Sequence, residues 1–73
     1  MAQHRINARG LRRPQPVIQL AALVAAAMAG DVVEVVGDDP RLELDLRKWV
    51  ARSGASLTAL NRNGEIIWAQ IQL

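Results

Sequence analysis

Residues 7–16 read NARGLRRPQP, an arginine-rich loop that runs into two prolines. Pro14 and Pro16 suit the first turn of an α-helix, where an amide hydrogen would have no partner within the helix. Gly10 suits the turn that precedes them, because glycine adopts positive φ angles at little cost. The stretch therefore predicts a turn followed by a helix that starts near residue 14.

The segments on either side of this loop predict a strand and a helix. Residues 3–8 are short and partly alternating in polarity, which favours an edge strand. The helix is expected to continue to about Ala29, with Gly30 ending it in the left-handed conformation. At 100° per residue its predicted core face consists of Val17, Leu20, Ala21, Val24 and Met28.

The next segment, residues 32–36, reads VVEVV and is closed by Gly37. Such density of β-branched side chains indicates a largely buried central strand. A strand, a helix and a second strand form a βαβ unit, whose crossover is right-handed in nearly all cases. The two strands should therefore be parallel.

A second helix is indicated by Asp39 as a cap and Pro40 at the first helical position. Leu44, however, would point away from the apolar face of such a helix. We therefore expect a tight turn first and regular helix starting near Asp45 as the cap, with Gly54 ending it. The predicted apolar face consists of Leu42, Leu46, Trp49, Val50 and Ser53.

Two further strands are predicted at residues 56–60 and 66–73, joined through a turn that contains Asn63 and Gly64. Alternation places Ile67, Ala69, Ile71 and Leu73 on the core face of the last strand. The complete order is βαβαββ, an α+β fold. The simplest arrangement is one domain of residues 1–73, a two-layer α/β sandwich with both helices on one face of a four-stranded mixed sheet.

Composition limits the chemistry that the chain can perform. It contains no cysteine, which excludes disulfides and thiol chemistry, and His4 is its one histidine. We expect His4 to be an exposed polar residue near a frayed end, and we expect no metal and no cofactor. The basic start is followed by polar residues rather than an apolar run, so we expect a cytoplasmic protein without membrane insertion.

Charge is unevenly distributed along the sequence. Four arginines lie in the first 16 residues, and six of the seven acidic residues lie between Asp31 and Asp45. This segregation predicts a dipolar molecule. Asp38 and Asp39 do not predict a catalytic or metal site, because capping before Pro40 explains them.

The residues resemble those of the TusA/SirA-like sulfurtransferase family over nearly the whole chain. The family signature GLxCPxP is matched by Gly10, Leu11, Arg12, Arg13, Pro14, Gln15 and Pro16, with Arg13 in the place of the cysteine. Further similarity lies in the preceding Ala8 and Arg9, in residues 30–40 (GDVVEVVGDDP), and in Trp49 and Gly54. Asn7 departs from the aspartate that the family usually carries.

The resemblance implies a sulfur carrier whose cysteine takes up a persulfide from a cysteine desulfurase or rhodanese-type donor and passes it to a relay protein. A cysteine at a helix N-terminus has a lowered pKa, which favours the thiolate. An arginine cannot serve, because its guanidinium stays protonated and has no nucleophilic lone pair. The sequence thus predicts a non-catalytic member that still binds sulfur-transfer partners.

Two alternatives stay open. The loop arginines, Arg9, Arg12 and Arg13, could bind an anion or RNA at the N-terminus of the first helix, although no aromatic residue nearby offers a stacking platform for tRNA bases. Arg13 could also stand where the natural protein has cysteine. Ile66 and Trp68 on the open sheet face form a candidate surface for partner binding or for homodimerisation.

Overall fold

A computed structural model describes residues 1–73 and has the βαβαββ order predicted from the sequence. Its elements are β1 (Gln3–Ala8), α1 (Gln15–Ala26), β2 (Val32–Gly37), α2 (Leu42–Ser53), β3 (Ser56–Asn63) and β4 (Ile66–Gln72). The strands form one mixed sheet in the order β1-β2-β4-β3. The α+β class is therefore confirmed, as are the edge position of β1 and its parallel pairing with β2. Neither helix has the length and apolar character that crossing a bilayer would need.

The hydrophobic core lies between one face of the sheet and the two helices. The register aligns Ile6 with Val35 and Val35 with Ala69, so these side chains share that face. Ile67, Ala69 and Ile71 are fully buried, which confirms the alternation predicted for the last strand. The helices contribute Leu20, Leu42, Leu46 and Trp49 to the same cluster.

Helix α1 ends earlier than predicted, and Gly30 does not end it. Its last residue is Ala26, and Ala27 is extended, so Gly30 lies in the following turn rather than at the helix end. The Asp31 carboxylate accepts a hydrogen bond from the Met28 amide at 3.1 Å, and this bond stabilises the non-helical turn. The predicted core positions of Ala21 and Met28 are wrong: both are exposed, and Met28 is 75% accessible.

Helix α2 begins at Leu42, so the prediction of regular helix from Asp45 is wrong. The Asp39 carbonyl accepts the Leu42 amide at 2.9 Å, and the Asp39 carboxylate accepts the Arg41 amide at 2.9 Å. These bonds brace the turn that precedes Leu42. Leu44, in the first turn of the helix, points outward and is half exposed. Gly54 ends the helix with a φ of 80°, as predicted.

The hairpin of β3 and β4 confirms the predicted pair of strands, although β3 is longer than residues 56–60 and contains an irregularity between Leu57 and Ala59. Asn63 pairs with Ile66, so Gly64 and Glu65 form the turn. A φ of +62° at Gly64 meets the need for positive φ in such a turn. The sheet face opposite the helices remains uncovered and carries Trp68.

Candidate functional site

The motif loop, residues 9–14, connects the end of β1 to the start of α1. Gly10 has a φ of 81°, and the Leu11 amide donates to the Ala8 carbonyl at 3.1 Å, which closes a tight turn. The Leu11 side chain packs against the core, and Pro16 is buried in the first turn of α1. The signature residues thus anchor the loop at both ends.

Two neighbouring carboxylates bind the loop from the segment that follows β2. Asp38 Oδ1 accepts the Gly10 amide at 3.0 Å and Arg12 Nη1 at 2.9 Å. Asp39 Oδ2 accepts the Arg13 amide at 2.7 Å. The prediction of Asp39 as the cap, with Pro40 at the first helical position, is wrong, because Arg41 is the N-cap of α2 and no side chain caps it. The Asp39 carboxylate instead joins the turn before α2 to the motif loop. The contact between this segment and the loop could be predicted from the parallel pairing of β1 and β2, because that pairing brings the carboxyl ends of both strands together.

These contacts change the acidity of both side chains. Donation from the Gly10 amide, and then from Arg12, holds the pKa of Asp38 below its ordinary value. Donation from the Arg41 amide, and then from the Arg13 amide, lowers the pKa of Asp39 in the same way. Hydrogen bonds to a carboxylate favour its charged form. Both residues are therefore anions at neutral pH, fixed against the loop.

Arg13 extends from the loop toward helix α2. Its Nη2 lies 3.1 Å from Asp45 Oδ1, and the Asp45 side chain is only 12% accessible while that of Arg13 is 42% accessible. Asp45, predicted as a helix cap, occupies the first turn of α2, where it faces the loop. The peptide bond between Arg13 and Pro14 is cis. A cavity of about 250 Å³ opens beside this ion pair, lined by Arg13, Pro14, Val17, Asp45, Lys48 and Arg52.

Of the three loop arginines, Arg9 lies apart from the other two. Arg9 Nε donates to Asn7 Oδ1 at 3.2 Å and lies in a depression with Arg5. Arg12 pairs with Asp38, and Arg13 pairs with Asp45. The loop amides of Gly10 and Arg13 already donate to carboxylates. The geometry thus places Arg9 apart from Arg12 and Arg13, which line a common depression with Asp39, Pro40 and Arg41. It also brings Lys48 and Arg52 beside Arg13, a grouping that the sequence did not indicate.

Ile66 and Trp68 lie on the uncovered face of the sheet, at the end where Gly64 and Glu65 line a depression with Arg12 of the motif loop. Trp68 is half-buried and donates from Nε1 to Glu34 Oε2 at 3.3 Å. Glu34 also pairs with Arg5 at 3.0 Å, so the partner of the indole N–H belongs to an ion pair. Ile66 is 37% accessible at the start of β4. The two side chains form a small apolar area with a polar border.

Three arginines of the N-terminal segment form ion pairs in the fold. Arg5, Arg12 and Arg13 each contact an acidic residue from the segment between Asp31 and Asp45. Charges that are segregated along the sequence therefore pair between neighbouring elements. His4 is not frayed, because it lies within β1 and contacts Asp31 Oδ2 at 2.9 Å.

Comparison with known protein families agrees with the element order and with the motif loop. The family model described as sulfurtransferase TusA matches residues 4–72, which include all or nearly all of each of the six elements. The absence of cysteine leaves two methionine thioethers as the sulfur atoms of the chain. Since the match extends over almost the entire sequence, the chain belongs to the TusA sulfurtransferase family.

Proposed function

We propose that this chain is a non-catalytic member of a sulfur-relay system, which binds sulfur-transfer proteins without carrying sulfur itself. One observation supports this most directly. The loop that resembles the family signature is fully anchored, through Leu11, Pro16 and the Asp38 and Asp39 carboxylates, yet it presents Arg13 where the resemblance places the reactive cysteine. The scaffold of the motif is kept while its nucleophile is absent.

The chemistry of the side chains supports the loss of transfer. A persulfide carrier needs a thiolate that attacks a sulfane sulfur and later releases it. Arg13 has five N–H donors and no free lone pair, and its positive charge is held by Asp45. The thioethers of Met1 and Met28 have no ionisable hydrogen and cannot form a persulfide. No step of the relay therefore has an acceptor atom in this chain.

The partners that fit this proposal are the ones implied by the family: a cysteine desulfurase, a rhodanese-type donor or a downstream relay protein, in the cytoplasm. We propose that docking uses the motif loop, because Asp38 and Asp39 hold its backbone and its outer surface carries Arg12 and Arg13, both more than 40% accessible. Ile66 and Trp68 are a second candidate surface, either for a partner or for a second copy. A single tryptophan can dominate the energy of a small interface.

The test mixes the chain with a cysteine desulfurase and cysteine labelled with radioactive sulfur. We expect co-elution of the two proteins and no label on this chain after denaturing separation. An Arg12→Glu/Arg13→Glu variant should lose co-elution, whereas Trp68→Ala should retain it if docking uses the loop. Label bound to the wild-type chain would overturn the proposal, as would the absence of binding to every donor and relay protein tested.

Arg13→Cys examines the alternative that the natural sequence has cysteine at this position. With Asp38 and Asp39 still holding the loop, the new thiol would lie next to α1 and should accept one sulfur atom from the desulfurase, measured by intact mass. Acceptance would show that the remaining apparatus is competent. Failure to accept sulfur would mean that the chain differs from the carriers at more than this residue.

A further inference from the structure

The cavity beside Arg13 is one of two depressions that combine three cations with one carboxylate. In the other, formed by Arg12, Arg13, Asp39, Pro40 and Arg41, the Arg12 side chain is already paired with Asp38. The lining of the cavity beside Arg13 includes three cations, Arg13, Lys48 and Arg52, and one carboxylate, Asp45. The remaining lining residues, Pro14 and Val17, add no charge and no hydrogen-bond donor. The cavity therefore has a net positive charge.

Most cations elsewhere in the chain have an acidic partner. Arg5, Arg12, Arg47 and Arg62 each form an ion pair with an aspartate or a glutamate. Lys48 and Arg52 have no carboxylate within 4.0 Å, and Arg13 uses only one edge of its guanidinium on Asp45. Donor groups from three side chains are thus available at one concave place.

The position of these residues on α2 concentrates the charge further. Lys48 and Arg52 are four residues apart, so they lie on the same side of the helix as neighbours. Like charges at this spacing repel and weaken a helix, and Arg13 adds a third positive group from the opposite wall. Sequence preferences that stabilise a helix are most often violated at functional sites. An anion between the three side chains would remove the repulsion.

The size and lining of the cavity indicate what kind of anion would fit. A volume of about 250 Å³ is below the ~300–1,000 Å³ of sites for drug-sized ligands and is several times the ~30 Å³ that one water occupies in the liquid. No aromatic side chain lines the cavity, so it offers no surface on which a nucleobase could stack. A guanidinium binds oxyanions through two parallel N–H groups, and an ammonium adds a compact charge.

We propose that this cavity binds a small tetrahedral oxyanion of the sulfate, thiosulfate or phosphate type, held by Arg13, Lys48 and Arg52. The site does not use the loop amides, because Asp38 and Asp39 already accept hydrogen bonds from them. It also differs from the grouping of Arg9, Arg12 and Arg13. The proposal goes beyond partner docking, since it concerns the isolated chain and a free ion.

The experiment follows backbone amide resonances by NMR during titration with sodium sulfate, thiosulfate or phosphate, with ionic strength kept constant by sodium chloride. We expect saturable shifts at residues of the cavity and none for chloride alone. Lys48→Gln and Arg52→Gln should each weaken binding by about tenfold, as expected when a charged hydrogen bond is lost. Circular dichroism would establish that the variants are folded.

Arg9→Gln is the matched control, because Arg9 is also a cation without an acidic partner but lies in a different depression. It should leave the affinity for oxyanions unchanged. The proposal is overturned if no shift saturates at constant ionic strength, or if Arg9→Gln weakens binding as much as Lys48→Gln. It is also overturned if an RNA oligomer binds at these residues and millimolar phosphate does not displace it.

Discussion

Among the glycines, Gly37 is the one at which an added Cβ would collide with a neighbouring atom. A Cβ at this residue would lie 2.6 Å from Leu42 Cδ2, and Leu42 is itself buried in the core. Gly37 is the last residue of β2, directly before Asp38 and Asp39, so a shift here would also move the carboxylates that hold the motif loop. We expect Gly37→Ala to destabilise the fold by about 1–3 kcal/mol in urea unfolding, the usual cost of overpacking.

The matched control for this overpacking is a double-mutant cycle with Leu42→Val, which removes volume at the point of collision. If the cost of Gly37→Ala comes from this contact, the double variant should be more stable than the sum of the two single changes predicts. Strict additivity would assign the cost to another cause.

The Asp39 carboxylate accepts hydrogen bonds from both the motif loop and the turn before α2. Its replacement by the neutral asparagine therefore tests how the loop is held. The carboxamide introduced by Asp39→Asn would offer one acceptor oxygen in place of two, whereas the structure uses Oδ1 for the Arg41 amide and Oδ2 for the Arg13 amide. We expect this variant to show faster hydrogen exchange at the Arg13 amide and a lower unfolding midpoint. Asp38→Asn serves as the control and should affect the Gly10 amide instead. Equal effects of both variants on Arg13 would contradict the assignment.

Helix α1 permits a comparison between the face that the sequence suggested and the face that packs. Leu20 is fully buried, whereas Met28, predicted for the same face, lies beyond the end of the helix and is mostly exposed. Leu20→Ala should therefore cost about 2–5 kcal/mol of stability, the range for buried leucines. Met28→Ala should change it by no more than about 0.5 kcal/mol, as expected for a surface position. A large loss at Met28 would restore the original assignment.

The errors in both helices have local physical causes that hydrophobic periodicity does not contain. The turn that ends α1 depends on the Asp31 carboxylate, which accepts a hydrogen bond from the Met28 amide. The start of α2 depends on Asp39, whose backbone and side-chain oxygens brace the turn before Leu42. Strands were easier to predict, because the β-branched run of β2 and the alternation in β4 are direct consequences of burial on one or two faces. A carboxylate that braces a helix end while it also bonds to a distant segment can be identified only from the tertiary structure.

For the assembled molecule, the motif could be identified from the sequence but its electrostatic surroundings could not. Gly10, Leu11 and Pro16 have the anchoring roles that their residue types suggest. Charge pairing, by contrast, follows from which strands and helices are neighbours, and Arg13 reaches Asp45 across 32 positions of sequence. The grouping of Arg13 with Lys48 and Arg52 likewise exists only once α2 packs beside the loop. Sequence proximity groups Arg9 with Arg12 and Arg13, whereas the fold places Arg9 beside Arg5 in a different depression.

Acid stability of the whole chain should depend on Asp31, which joins the two ends of the sequence. It accepts hydrogen bonds from His4, Ala2 and Met28, while the Asp31 backbone bonds to Leu73 at the other end of the chain. The His4 side chain, then the amides of Ala2 and Met28, lower the pKa of Asp31 from 3.8 to about 2. Because the folded pKa lies below the unfolded value, the stabilisation is complete above pH 3.8 and is lost as the pH falls toward 2.

We therefore expect the free energy of unfolding to decrease between pH 3.8 and about 2 in urea titrations, with Asp38, Asp39 and Glu43 acting in the same direction because their pKa values are also lowered. Asp31→Asn should be less stable at neutral pH and should have a shallower decrease across this window, since a carboxamide does not titrate there. Glu65→Gln, at an exposed turn residue without an ion-pair partner, should follow the wild-type curve. An unchanged slope in Asp31→Asn would mean that the remaining carboxylates alone determine the acid transition and that the contact between His4 and Asp31 adds nothing to it.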